Sequence, residues 1–399
     1  MYIPLLIDYD YQIVHSASGQ IARVFWEQTH DFLSRPIVVC SEQPSGLKSE
    51  NQLIIVKDRG WIRHIFGLCR ELGLPDVCHI PDQRRFSWEP FVVKAVKNGD
   101  YKFDYIHSIS CPESSHLTAL KIKRLTGKPW VAQFNDPWIG NEAKRFNTRY
   151  FLKVDAELER EVAENADLII HSNRIMIEDW LERYGDLVRD KMVIFPFSFN
   201  IAQLPDVVEH QNRNEKLKIS HIGHMYGARS ASSILKALCE LKANSPEVYH
   251  QIELTFIGSL PDDDKAYVEK NGLTDCFRFL GKMPPESLAK YYLESDVFLV
   301  IDMNVPRSPS YPSKLLMYHY YRRPILSIAP SDSIIEDDML KSGHHCFTYD
   351  DVTGIENYLK KAVEDYGSLQ SFDHNHWHQF TVENVANLYH QELNKLFSK

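Results

Sequence analysis

A lysine stands at the start of a predicted helix in the second half of the chain. In "YPSKLLMYHYYRRPIL" (311–326), Ser313 and Lys314 directly precede a helical run that ends at Pro324. Ser313 is predicted to cap the helix, but a cation in the first turn is unfavourable because the exposed amides there carry partial positive charge. Either the long side chain of Lys314 bends into solvent, or the amides and the ammonium share an anion such as a phosphate.

A second cation is expected at the same place. The segment "GHMYGARS" (223–230) follows a predicted strand, and Gly223 and Gly227 would let the backbone approach a ligand closely just before Arg229. In a doubly wound sheet of order 3-2-1-4-5-6, the loops after strands 1 and 4 open at one crevice. The loop after strand 4 leads to Lys314, so this order predicts that both cations and two helix amino termini converge on a phosphate or diphosphate.

The elements that must position these residues alternate along the chain. Short β-branched runs are separated by stretches of helical period, which is the pattern of βαβ units around a parallel sheet. The runs lie at 36–40, 51–56, 105–108, 129–134, 168–172 and 192–196, and again at 217–223, 252–258, 277–281, 297–302, 325–329 and 346–349. A polar, turn-rich segment separates the two sets, so we expect the α/β class with two tandem doubly wound domains and a boundary near 200–215.

Composition agrees with this class and excludes others. The 399 residues are 44% hydrophobic, which suffices for about two domains, and the net charge of -9 argues against a general nucleic-acid binder. The seven cysteines contain no C-x-x-C pair, which favours reduced thiols and a cytoplasmic location. The amino terminus has no basic leader, and no uncharged apolar run reaches about 18 residues, so neither a signal peptide nor a membrane span is expected.

Motifs for other chemistries are missing. The P-loop and G-x-G-x-x-G patterns do not occur, which lowers the odds of an NTPase or a nicotinamide dehydrogenase. No metal site is predicted, because "HNHWH" (374–378) is better interpreted as a polar start to the last helix than as a ligand pair His374 and His378. The acidic triplets "DYD" (8–10) and "DDD" (262–264) are likewise interpreted as a strand end and a helix start.

In the first half, polar residues follow another predicted strand. A capped amphipathic helix is predicted to end at Gly127, and the strand "KPWVAQF" (128–134) delivers Asp136 and Trp138 to the edge of the sheet. A carboxylate beside an indole suits a site that holds a sugar ring or orients a hydroxyl. The alternative is that Asp136 only caps a turn before Pro137.

Four segments of this chain resemble one family. They are 107–138, "ISHIGHMYGARSASSILKAL" (219–238), "FRFLGKMPPESLAKYYLESDVFLVI" (277–301) and "PSKLLMYHYYRRPIL" (312–326). In this order and spacing they resemble the GT-B sugar transferases of glycosyltransferase family 4, the group 1 transferases of bacterial polysaccharide assembly. The resemblance runs from about residue 104 to the end and is strongest in the second domain.

The resemblance implies two Rossmann-like domains facing across a cleft. Residues 1–200 would bind the acceptor, with a carboxy-terminal helix at 378–399 packing back on them, and residues 201–377 would hold a nucleoside-diphosphate sugar. Such enzymes generally retain anomeric configuration and need no metal, so no cofactor is expected, and cations with helix amides would stabilise the leaving diphosphate. The acceptor would be a saccharide or a lipid-linked saccharide.

The resemblance also implies site residues by position. Diphosphate contacts fall on Gly223, Arg229, Ser313 and Lys314, the donor cleft on Gly258, nucleobase contacts on Lys282 and Met283, the acceptor-orienting group on Asp136, and the usually glycine-rich first loop on the acceptor side on Gly19.

Two positions depart from the family pattern. Met317 replaces an acid that grips the nucleotide ribose, and His224 replaces the arginine that usually follows the first glycine. Either another group binds the ribose, or the donor is held more weakly, or the chain no longer transfers sugar. The alternatives to a retaining glycosyltransferase are therefore a catalytically silent nucleotide-binding, glycan-binding or partner-supporting protein of this fold, and a sugar-nucleotide epimerase.

Two segments of the first half interleave basic and aromatic residues, at 57–70 and 84–97. Such segments suit the surface of an anionic membrane. They predict that the protein associates peripherally with the inner face of the cell membrane. The alternative is two ordinary amphipathic helices whose apolar faces pack on the sheet.

Overall fold

The computed structural model describes residues 2–11, 17–43, 49–62, 64–65, 80–141, 149–199, 207, 216–284 and 287–398. The chain divides into two compact units. The first comprises Met1–Ile201 and Gln379–Lys399, and the second comprises Ala202–His378. These bounds differ by one residue from the expected ones.

The first unit is built on a seven-stranded parallel sheet of order β3-β2-β1-β4-β5-β6-β7. The strands β1, β2, β4 and β6 are buried at every position, as expected for a parallel sheet covered on both faces. The strands are β1 Pro4–Ile7, β2 Ile37–Cys40, β3 Gln52–Ile55, β4 Tyr105–Ser110, β5 Trp130–Phe134, β6 Leu168–His171 and β7 Met192–Ile194.

Helices alternate with these strands, as the sequence pattern predicts. The helix before β5 ends at Gly127, whose φ of 68° is the left-handed conformation that closes a helix, and this end is confirmed. The helices of the unit are Ala17–Gln28, Arg84–Ser87, Glu89–Asn98, Ser114–Thr126, Arg149–Asn165, Arg174–Tyr184, Asp186–Arg189 and Val382–Ser398.

The last helix, Val382–Ser398, belongs to the first unit although it follows the second in sequence. Its Tyr389 is buried, and the hydroxyl lies 3.0 Å from the Tyr105 hydroxyl and 2.6 Å from Nδ1 of His107. The polar "HNHWH" segment does not start this helix as predicted, because it forms a separate 3-10 turn, His376–Phe380.

The second unit contains a six-stranded parallel sheet of order β10-β9-β8-β11-β12-β13, which is the predicted order 3-2-1-4-5-6. Its strands are β8 Leu217–His224, β9 Ile252–Ser259, β10 Phe277–Phe279, β11 Val297–Ile301, β12 Ile325–Ile328 and β13 His345–Phe347. Its helices are Ser232–Asn244, Pro246–Tyr249, Asp262–Lys270, Leu288–Glu294, Lys314–Tyr321, Ile334–Ser342 and Val352–Glu364. The sheet order places the carboxyl ends of β8 and β11 side by side.

Within the described residues, no helix has both the length and the apolar character needed to cross a membrane. The five cysteines in the described part form no disulfide.

Candidate functional site

The loops that follow β8 and β11 meet in the second unit. The backbone N–H of Asn304 in the second loop donates to the carbonyl of Ala228 in the first loop at 3.1 Å. The predicted meeting of these two loops therefore occurs in the structure, and the charge of Arg229 contributes to lowering the pKa of Lys314.

The end of β8 leaves room for the Lys314 side chain. A Cβ atom on Gly223 would lie 3.0 Å from both Cε and Nζ of Lys314, and one on Gly258 would lie 2.1 Å from the Gly223 carbonyl oxygen. The φ angles of Gly223 and Gly258 are 140° and 122°, which L side chains rarely adopt. Any larger residue at either position would displace the lysine or the neighbouring strand end.

Lys314 has an imidazole as its partner. Nε2 of His221 lies 2.8 Å from Nζ of Lys314, and Nδ1 lies 3.1 Å from the Leu299 carbonyl oxygen. A carbonyl only accepts, so Nδ1 must carry the ring proton, and Nε2 accepts a hydrogen bond from the lysine. Burial and then the charge of Arg229 lower the pKa of Lys314 to about 7. An anion placed here would favour the protonated lysine.

Arg229 is fixed more tightly. Only 5% of the residue is exposed, and its guanidinium donates to the Ser310 hydroxyl at 2.9 Å and to the Tyr226 carbonyl at 3.4 Å. It also lies 3.5 Å from a carboxylate oxygen of Asp302, which is fully buried at the end of β11. Part of the arginine charge is therefore balanced within the protein, whereas Lys314 is hydrogen-bonded to a neutral ring.

The two helix starts differ from the predicted shared anion site. In the first turn of helix Lys314–Tyr321, the amides of Leu315 and Leu316 already donate to backbone carbonyls three residues earlier. At the start of Ser232–Asn244, the Asp264 carboxylate accepts hydrogen bonds from the Ala231 amide at 2.8 Å and the Ser230 hydroxyl at 2.7 Å. This helix start is already bound by a carboxylate of the chain itself, and "DDD" is the first turn of Asp262–Lys270, as predicted.

Ser313 also differs from expectation. It occupies the residue before helix Lys314–Tyr321, but its φ and ψ of -56° and -21° are helical and its side chain makes no capping hydrogen bond. The exposed hydroxyl is therefore not used as a cap.

The remaining donor-side candidates lie around these loops. His224 is exposed, with Nδ1 3.3 Å from the Ser259 hydroxyl. Lys282 is exposed and Met283 half-buried in the segment after β10, and Met317 is half-buried within helix Lys314–Tyr321.

The acceptor-side candidates of the first unit differ in their exposure and position. Asp136 is exposed just after β5. Trp138 is only 1% exposed and its indole N–H donates to the Asp155 carboxylate at 2.6 Å, so its ring is buried rather than presented at the edge of the sheet as predicted. Gly19 lies in helix Ala17–Gln28 rather than in a loop, which corrects its predicted place.

Three groups were not predicted from sequence as site residues. Asp302 carries a signal that could have been used, because it is a charge directly after the wholly apolar strand β11. His221 gives a weaker signal, since buried histidines within strands are common. Asp8, at the carboxyl end of β1, is fully buried, and burial and then the neighbouring Asp10 raise its pKa to about 8. It is a further ionisable group at the strand ends of the first unit.

Comparison with known proteins gives a fold. No family model matches the chain, and no curated protein matches it. HepE of Anabaena, solved with UDP and glucose, matches with a TM-score of 0.67 at 11% identity, covering 99% of this chain and 100% of that chain. Sucrose-phosphate synthase of Thermosynechococcus elongatus matches with a TM-score of 0.71 at 15% identity, covering all of both chains.

WaaG, a glycosyltransferase involved in lipopolysaccharide biosynthesis, matches with a TM-score of 0.63 at 14% identity, covering 97% of this chain and 99% of that one. Identities this low establish architecture alone. The two parallel-sheet units of this chain have the fold of the GT-B glycosyltransferases.

Proposed function

We propose that this protein transfers a sugar from a nucleoside-diphosphate sugar to a saccharide acceptor. The observation that carries the proposal is a pair of cations where β8 and β11 end, with Lys314 against Gly223 and Arg229 against Asp302. Ligands of doubly wound sheets bind at this switch point, and two adjacent cations there are stabilised by a polyanion. The similar structure of HepE was solved with UDP and glucose, which supports a uridine nucleotide as the first donor to try.

The chemistry required of the site is to stabilise negative charge on the leaving diphosphate. Arg229 is oriented by Ser310 and Asp302, and Lys314 is oriented by His221. Both cations are therefore placed before the donor arrives and need little reorganisation as the glycosidic bond breaks. We assign this role to the two side chains rather than to a metal, and we assign retention of configuration on the family resemblance.

The acceptor is assigned to the first unit, where Asp136 is exposed at the end of β5. Its carboxylate would orient or deprotonate the incoming hydroxyl. The family resemblance and the likeness to WaaG favour bacterial polysaccharide assembly, in which the acceptor would be a saccharide or lipid-linked saccharide.

Weak binding to anionic membranes accompanies the proposal of a lipid-linked acceptor. Trp61 and Ile65 are 62% and 48% exposed in the first basic segment. The second segment supports the idea less, because Trp88 is fully buried and its indole N–H donates to the Val56 carbonyl. Arg63, a basic residue of the first segment, lies outside the described residues. Sedimentation with anionic against neutral vesicles tests the idea, and a Trp61→Ser variant should bind the anionic vesicles less.

A second candidate, a silent nucleotide-binding protein, is favoured by Met317. A thioether cannot accept the strong hydrogen bonds that a carboxylate would take from ribose hydroxyls. Such a protein would keep the diphosphate contacts without turning over the donor.

The deciding experiment measures nucleotide release and product anomer with a panel of nucleoside-diphosphate sugars. Turnover that is lost in Lys314→Met and kept in Lys236→Met, an exposed lysine of the same unit, supports the transferase. Thermal stabilisation by a nucleotide without turnover supports the silent protein. If no nucleotide gives either turnover or a thermal shift, both candidates are excluded.

A further inference from the structure

A second polar cluster lies in the second unit, on the same helix that begins at Lys314. His319 is on this helix, Asp338 is on the next helix, and His376 opens the turn before the last helix. The three residues are 4%, 7% and 8% exposed. They come from three well-separated segments, so only the folded unit brings them together.

Both imidazoles present the same ring nitrogen to one carboxylate. Nε2 of His319 lies 2.6 Å from Oδ2 of Asp338, and Nε2 of His376 lies 2.7 Å from Oδ1. The three possible ligand atoms all lie within 4.8 Å of one another. The Tyr311 hydroxyl is 3.3 Å from Oδ2 of Asp338, so a fourth oxygen lies beside the group.

We propose that His319, Asp338 and His376 bind one zinc ion. Imidazole nitrogen and carboxylate oxygen are zinc ligands, and three such ligands leave a fourth tetrahedral position for water or for Tyr311. Calcium and magnesium prefer all-oxygen surroundings, so two imidazoles favour zinc over them.

The geometry requires an adjustment of three atom pairs. At Zn–N and Zn–O distances of about 2.0–2.1 Å, two ligand atoms at the tetrahedral angle lie about 3.3 Å apart. Each His–Asp pair must therefore open by about 0.6 Å, and the two imidazole ligand atoms, which lie within 4.8 Å of each other, must come to the same separation.

A zinc ion also accounts for the burial of this polar group. Burying a carboxylate and two imidazoles is costly, and apolar residues of similar volume often stabilise such a place as well or better. Coordination would join two helices to the turn that contains His376, two residues before the unit ends at His378. The ion would fix the last segment of the second unit.

The histidine pair considered from sequence is not this site. His374 is exposed, with Nε2 3.3 Å from the Gln370 carbonyl, and His378 is exposed beside the Trp377 ring at 3.9 Å. Both neighbour His376 in sequence without joining the cluster, so they serve as matched controls.

The test uses the full chain, purified without a histidine tag, stripped with EDTA and titrated with Zn2+ against a chromophoric chelator. We expect one ion per chain with submicromolar affinity, a rise in melting temperature, and tetrahedral absorption bands when Co2+ replaces Zn2+. His319→Gln, Asp338→Asn and His376→Gln should each weaken binding at least tenfold, and His374→Gln and His378→Gln should not.

If any of the three variants fails to fold, the proposal can still be tested on the wild-type protein. X-ray absorption of the zinc-loaded wild-type protein must then show four light ligands that include two imidazoles. No stoichiometric ion on the folded wild-type chain, or an ion lost with the control histidines instead, would overturn the proposal and leave two Nε2–H groups hydrogen-bonded to the Asp338 carboxylate.

Discussion

Helix Lys314–Tyr321 carries two polar clusters of opposite character. At its first residue, Lys314 lies with Arg229 near the end of β8, and the ligand that we propose for these two cations is an anion. Five residues later, His319 joins Asp338 and His376, and this group offers electron pairs that are completed by a cation. We call them the anion cluster, Arg229 with Lys314, and the zinc cluster, His319 with Asp338 and His376.

The difference between the two clusters lies in what holds the charged groups. In the anion cluster each cation is oriented by a separate partner, so its charge remains available to a ligand that comes and goes. In the zinc cluster the three side chains are hydrogen-bonded to one another. A metal ion must therefore insert between them, and we expect it to remain bound. The two proposals thus place a reactive site and a stabilising site on one short helix.

The largest effect is expected from removing the first cation. Lys314→Met should lower turnover about 100- to 1000-fold, because it removes a preorganised donor to the leaving diphosphate. Its melting temperature should change little, since removing a desolvated amine offsets the loss of its hydrogen bond to the buried Nε2 of His221. Steady-state kinetics and thermal unfolding check both points, with Lys236→Met as the control. A variant with near-normal turnover would exclude Lys314 from the anion cluster.

Arg229 should behave differently because Asp302 depends on it. Arg229→Met should lower turnover and also reduce the free energy of unfolding by about 3 kcal/mol, since a buried carboxylate loses its guanidinium. Adding Asp302→Asn should restore much of that stability without restoring turnover. Denaturant unfolding and kinetics on both variants separate the two effects. Recovery of turnover in the double variant would show that Arg229 acts only on the fold.

The sequence predicted the anion cluster better than the zinc cluster, for a physical reason. Strand order in a doubly wound sheet follows from local periodicity, so the meeting of the loops that lead to Arg229 and Lys314 could be derived from the residues alone. The partners of those cations could not, because His221 and Asp302 act through side-chain directions and burial. Likewise, Trp138 follows a strand as predicted, yet its ring turns inward to Asp155.

The zinc cluster has no local signature at all. Its residues are 19 and 38 positions apart, as the hydrogen bonds of Asp338 to His319 and to His376 span them. In "HNHWH", the sequence spacing points to His374 and His378 as a possible ligand pair. In the folded unit, packing places His376 beside Asp338 instead.

The pH dependence should distinguish the anion cluster by two opposite trends. The pKa of Lys314 is lowered to about 7, so kcat/KM should fall about tenfold per pH unit above that value as the ammonium is lost. Between about pH 7 and 10.5 the unfolded chain keeps this proton and the folded chain does not, so this group makes the free energy of unfolding rise with pH. Lys314→Arg should lose both trends. If the pH profile of kcat/KM is unchanged in that variant, another group causes the fall above about pH 7.

Met317 lies between the two clusters on the same helix and tests the family resemblance. Met317→Glu should tighten binding of a uridine nucleotide up to about tenfold, because a charged acceptor can bind the ribose hydroxyls. Met317→Gln keeps the length of the side chain without the charge and should gain less. Calorimetric titration with UDP measures both, and weaker binding by the glutamate variant would mean that the ribose lies elsewhere.

The smallest expected effect comes from chelation, and it separates the clusters directly. Brief treatment with EDTA should leave the initial rate of sugar transfer unchanged, because Arg229 and Lys314 rather than a metal face the diphosphate. The same treatment should lower the melting temperature by a few degrees, because the zinc cluster loses its ion while the second unit stays folded at assay temperature. In the Asp338→Asn variant, chelation should leave the melting temperature unchanged as well as the rate. A rate that falls at once with EDTA and returns with manganese or magnesium would place a metal at the diphosphate and end the division of roles between the two clusters.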